Sequence, residues 1–63
     1  MKRGTLVRTL TFKLLGKERH ATCLAGHAVL FERSPVDPGL FIVWHGKHYA
    51  RVDAIDLLLT VAA

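Results

Sequence analysis

Residues 40–63 constrain this chain most, because they carry more apolar surface than a protein of 63 residues can readily enclose. The stretch reads as an apolar strand, a tight turn, a second strand and an aspartate-led helix that is greasy on nearly every side. Phe41, Ile42, Val43 and Trp44 run continuously instead of alternating, which predicts a strand covered on both faces. His45-Gly46-Lys47 supplies the turn, since glycine takes positive φ without a steric penalty. Residues 48–52 return as the partner strand, with Tyr49 and Arg51 on one face and His48, Ala50 and Val52 on the other. Asp53 is a good helix N-cap, and residues 54–61 are predicted helical, with only Asp56 and Thr60 as polar positions. A helix apolar nearly all round is normally buried. A domain this small buries only about 60% of the surface its unfolded chain exposes. A second copy of the chain is therefore the expected cover, making a homodimer through Ile55, Leu57, Leu58 and Val61.

Upstream, residues 5–15 alternate with a period of two. Leu6, Leu10, Phe12 and Leu14 share one face, interrupted by Arg8; Thr5, Val7, Thr9, Thr11 and Lys13 share the other. One amphipathic strand is expected there, followed by a polar turn at residues 16–19. Residues 20–33 are ambiguous. They read either as two strands forming a hairpin around Gly26-His27 or as a helix with Gly26 in its interior, and the run Val29-Leu30-Phe31 favours strands. Ser34-Pro35-Val36-Asp37-Pro38-Gly39 must be a loop, because two prolines and a glycine continue neither a helix nor a central strand. The fold expected is a single α+β domain over residues 1–63. It has a small antiparallel sheet of four to five strands, meander-like, followed by one C-terminal helix. The strand count is also compatible with a small, partly open barrel.

Charge is unevenly spread along the chain. Residues 1–19 hold six basic side chains, Lys2, Arg3, Arg8, Lys13, Lys17 and Arg19, against Glu18 alone, a balance of +5. Residues 20–63 hold three, Arg33, Lys47 and Arg51, against Glu32, Asp37, Asp53 and Asp56, a balance of −1. Such asymmetry points to a polyanionic partner, nucleic acid first. The residues expected to contact it are Lys2, Arg3, Lys13, Lys17, Arg19, Lys47 and Arg51. Threonines on the Lys13 face can bond phosphate or base edges. Trp44 and Tyr49 lie near the Lys47 turn and could stack on bases, although the apolar run that Trp44 ends places it more readily in the core. The competing reading is a protein–protein interaction or inhibitor module. It would dock its apolar helix and sheet on a larger acidic protein, its charge serving solubility.

Other chemistry finds little support in the residue pattern. His20, Cys23 and His27 have the spacing H-x2-C-x3-H, and His45 and His48 flank a turn. Structural zinc sites usually carry paired cysteines, and on a strand His20 and Cys23 point to opposite faces. No metal or cofactor is expected on spacing alone. Cys23 is the only cysteine, so no internal disulfide can form, and a lone thiol suits a reducing compartment. No phosphate loop, dinucleotide fingerprint or carboxylate pair is visible, and no enzyme is expected. Met1-Lys2-Arg3 resembles the start of a signal peptide, but Arg8 and Lys13 interrupt the segment that follows. No apolar run approaches the ~18 residues of a membrane-spanning helix. A soluble, cytoplasmic protein is the expectation.

Overall fold

The computed structural model describes residues 1–14, 16 and 20–63. It is a single curled sheet of seven strands: β1 (Lys2–Leu6), β2 (Leu10–Leu14), β3 (His20–Cys23), β4 (Ala28–Arg33), β5 (Leu40–His45), β6 (His48–Asp53) and β7 (Val61–Ala62). Their order across the sheet is β3-β2-β6-β5-β4-β1-β7, and every neighbouring pair is antiparallel. The expected α+β class and its C-terminal helix are thus overturned. The expected strand count and meander also give way: β1 and β2 follow one another in the chain but lie near opposite sides of the sheet.

The amphipathic stretch of residues 5–15 accounts for that separation. Its apolar face is real: Leu6 and Phe12 are both in the core. The strand breaks where Arg8 interrupts the face, over residues 7–9, and the chain crosses from one side of the sheet to the other. Residues 20–33 do form two strands, but not a hairpin with each other. β3 pairs with β2, and β4 pairs with β1 and β5. The connection between them crosses from the β3 edge of the curled sheet to β4, and its far end, the seam, continues the β1–β4 ladder. There the Leu6 N–H donates to the His27 carbonyl (2.9 Å), and the Gly26 N–H donates to the Leu6 carbonyl (2.8 Å).

The C-terminal segment departs furthest from its sequence reading. Residues Ala54–Leu59 form a short 3-10 turn, and Asp53 makes no capping side-chain bond because it is still the last residue of β6. The Thr60 N–H bonds to the Leu57 carbonyl, and the Thr60 hydroxyl donates to the Asp56 carbonyl at 2.9 Å, closing the turn. Val61 then pairs with Leu6, while the Thr60 carbonyl accepts the Val7 N–H. A continued helix would forfeit these bonds and leave the edge of β1 unpaired. The β-branched pair Thr60-Val61 suits the extended path instead.

One face of the sheet turns inward. Leu6, Phe12, Cys23, Val29, Phe31, Val43, Ala50, Val52 and Val61 make the core, with Leu10, Phe41 and Leu57 packed against it. β5 is not covered on both faces as expected: Val43 points in, while Leu40, Ile42 and Trp44 are half-buried on the outer face. The β5–β6 hairpin and the loop over residues 34–39 are present as the residues suggest. Gly46 opens the two-residue turn with φ +62°, as a type II′ hairpin requires. In the loop, Ser34 Oγ accepts the Val36 and Asp37 N–H groups, both at 3.3 Å. No helix among the described residues is long and apolar enough to cross a membrane.

Candidate nucleic-acid interface

Alternation along each strand decides which side chains reach the outer face, and strand register decides which of them meet. On β2, Phe12 points in and Lys13 out; on β6, Ala50 points in and Tyr49 and Arg51 out. Lys13 lies opposite His20 of β3 on one side and Tyr49 of β6 on the other. Tyr49 pairs with Trp44, Trp44 with Leu30, and Leu30 with Arg3. The result is one cross-strand row, His20–Lys13–Tyr49–Trp44–Leu30–Arg3, running over six adjacent strands. Neighbouring strands are spaced about 4.8 Å apart, so the row is about 24 Å long before curvature.

The centre of the row is aromatic and its ends are basic. The Trp44 and Tyr49 rings lie 5.6 Å apart and tilted by 43°. Arg51, two residues along β6 on the same face, sits 6.0 Å from the Tyr49 ring centroid. Trp44 is further fixed by its indole N–H, which donates to Glu32 at 3.2 Å. Two shallow grooves flank the aromatic pair. One, of about 260 Å³, is lined by Thr11, Lys13, His20, Tyr49 and Arg51. The other, of about 290 Å³, is lined by Arg3, Leu30, Trp44 and Gly46. No carboxylate lies in the row itself. Glu32 and Asp53 face the same side two or more residues along their strands.

The basic residues singled out in the sequence divide into groups. Arg3, Lys13 and Arg51 share the outer face and are exposed, and Lys47 is exposed at the tip of the β5–β6 turn. Lys2 sits at the mouth of the curled sheet, in a cleft of about 420 Å³ shared with Phe31, Arg33, Phe41 and Leu57. Lys17 and Arg19 lie outside the described residues. Arg33 serves the loop, donating to the Pro38 carbonyl at 2.7 Å and covering the Phe41 ring. Trp44 is half-buried on the surface and absent from the core, contrary to its sequence reading. His20 and Leu30 complete the row, a place that the sequence pattern assigns to neither. Their signal is the pairing of β3 with β2 and of β4 with β1, which no local pattern discloses.

Of the apolar residues expected at an interface, Ile55 and Leu58 are each 86% exposed. Leu57 packs partly against the core and Val61 belongs to it. Leu59, 64% exposed, joins the outward pair.

A second constellation lies at the seam. Cys23, His27 and His45 bring their sulfur and ring nitrogens within 4.8 Å of one another. His20 is not among them, because it faces outward beside Lys13.

Comparison with known protein families, with curated proteins and with solved structures finds no match to this chain. Function has to be argued from the site alone.

Proposed function

We propose that the protein is a small non-enzymatic module that binds single-stranded DNA or RNA on the outer face of its sheet. The observation that carries this reading is the in-register row with Tyr49 and Trp44 at its centre and Lys13 and Arg3 toward its ends. A single-stranded ligand offers bases to stack and phosphates to neutralise. Aromatic platforms flanked by Lys and Arg meet both needs without reading sequence. Stacking is worth about 1–3 kcal/mol per base. Lys13 and Arg51 would hold the backbone on one side of the aromatic pair, Arg3 on the other, and Lys47 would reach it from the turn. His20, Thr11 and Thr22 add hydrogen-bonding groups on the Lys13 side. The lone thiol suits the reducing cytoplasm as the place of action.

The test is binding of a mixed single-stranded oligonucleotide pool at several salt concentrations, followed by fluorescence anisotropy. Four cations engaged on a single strand predict a log–log salt slope of about −3. Replacing Arg3, Lys13 and Arg51 together with alanine should abolish most of that slope. Absence of binding at low salt would sink the reading, as would an affinity that the triple variant leaves unchanged.

A second reading rests on Ile55, Leu58 and Leu59, which present apolar surface from the 3-10 turn. We propose a second copy of the chain as its occupant, since a core of nine buried apolar side chains among the described residues leaves so small a domain in need of further burial. A module that dimerises but ignores nucleic acid would favour protein–protein interaction as its work.

A further inference from the structure

Three separate segments converge at the seam. Cys23 ends β3, His27 lies in the connection to β4, and His45 ends β5. Their ligating atoms all lie within 4.8 Å of one another. The connection is pinned on both sides of His27, by the Leu6 N–H on its carbonyl and by the Gly26 N–H on the Leu6 carbonyl. These bonds continue the β1–β4 ladder past Thr5 and Ala28, so the backbone that presents the imidazole is fixed by strand pairing.

The state of His45 follows from its partner. Its Nδ1 lies 3.2 Å from the Ala28 carbonyl oxygen, which can only accept a hydrogen bond. In the neutral ring that bond places the proton on Nδ1 and leaves Nε2 as the nitrogen open to a metal. This arrangement, one ring nitrogen donating to a backbone carbonyl and the other free, is the one metal-bound histidines adopt. The ring is held further by edge contacts with His27 at 5.5 Å and with Phe12 at 6.3 Å between centroids. Phe12 gives the site an apolar floor, and a cavity of about 270 Å³ opens in front of it, with His48 in its wall.

From this geometry we infer that Cys23, His27 and His45 form a three-ligand site for a divalent transition metal, zinc first. One thiolate and two imidazoles suit a borderline-soft ion, and neither calcium nor magnesium favours such donors. Ligands around tetrahedral zinc stand about 3.5 Å apart, so no pair in the cluster need draw in by more than about 1.3 Å on loading. Three protein ligands leave the fourth position, on the cavity side, to water. The ion would tie β3, the seam connection and β5 together, doing for this small domain what its single cysteine cannot do through a disulfide. Cys23 belongs to the core side of the sheet, and metal binding there needs no nucleic acid.

The experiment is titration of the reduced full-length chain with Zn2+ by calorimetry, and with Co2+ by absorption. Binding of one ion per chain is expected, with a thiolate-to-cobalt charge-transfer band and a thermal midpoint that rises with metal concentration. Cys23→Ser and His27→Ala should each weaken binding about 100-fold or more, beyond the loss typical for a supporting residue. His20→Ala should bind as the parent does. His27 is exposed, so His27→Ala is expected to keep the apo fold, which circular dichroism of the metal-free protein checks. Failure of the parent to bind Zn2+ or Co2+ overturns the inference. Equal binding by His27→Ala overturns it, and so does loss of binding in His20→Ala.

Discussion

Gly4 shows how tightly single residues control strand pairing. It lies on the inward face of β1, where a Cβ would overlap Val61 Cγ1 and stand 2.9 Å from the Ala62 carbonyl oxygen. Only hydrogen fits between β1 and β7 at that point. Gly4→Val should destabilise the protein by about 1–3 kcal/mol through overpacking, read as a lower midpoint in urea. Nothing in the sequence marks Gly4 out, because the clash is with residues nearly sixty positions away in the chain. Tyr49 and Arg51 were readable as neighbours on one face, since period-two alternation needs no tertiary information. That Trp44 joins them was not. A continuous apolar run does not reveal which of its members face the core.

Among the elements, the β5–β6 hairpin and the Pro-Gly loop were legible because their signals are local: a glycine at a turn, two prolines that forbid alternatives. The break between β1 and β2 left a trace, Arg8 on an otherwise apolar face, whose meaning depended on the sheet order. The C-terminal segment misled for a physical reason. Its apolar residues fit helical spacing, but the open edge of β1 competes for the same backbone and draws Val61 into a strand. Two substitutions separate the extended path from the helical one. Leu58→Asp touches a position exposed in the single chain and should leave a folded monomer, as sedimentation would show, whose thermal midpoint no longer rises with protein concentration. Val61→Asp places an unpaired charge in the core and should unfold the chain, visible as loss of the far-ultraviolet strand signal. Equal, mild effects at both positions would mean that Val61 is not buried against Leu6.

For the whole molecule, a small core sets the balance. Phe12 is 1% exposed, points inward from β2 and lines the cavity beside the Cys23–His27–His45 cluster. Phe12→Ala removes about 3–5 kcal/mol, close to the entire stability a domain of this size commands. The variant should be largely unfolded at room temperature by calorimetry, and addition of Zn2+ should recover part of its folded signal if the seam site binds. The charge asymmetry gains a structural meaning only in part. Arg3 and Lys13, both from the basic N-terminal third, come to flank the same aromatic pair from opposite sides of the sheet. Sheet order produces that meeting, whereas the sequence shows only the excess of charge.

Trp44 is the sole tryptophan and stands at the centre of the proposed platform, so its fluorescence reports on the site directly. The decisive measurement is titration of the native protein with a short single-stranded oligonucleotide at low salt while Trp44 emission is followed. Saturable quenching that salt reverses, and that Tyr49→Ala weakens about tenfold, is the result predicted from base stacking on this row. Emission unchanged while the oligonucleotide is shown to bind would place the ligand elsewhere and contradict the account.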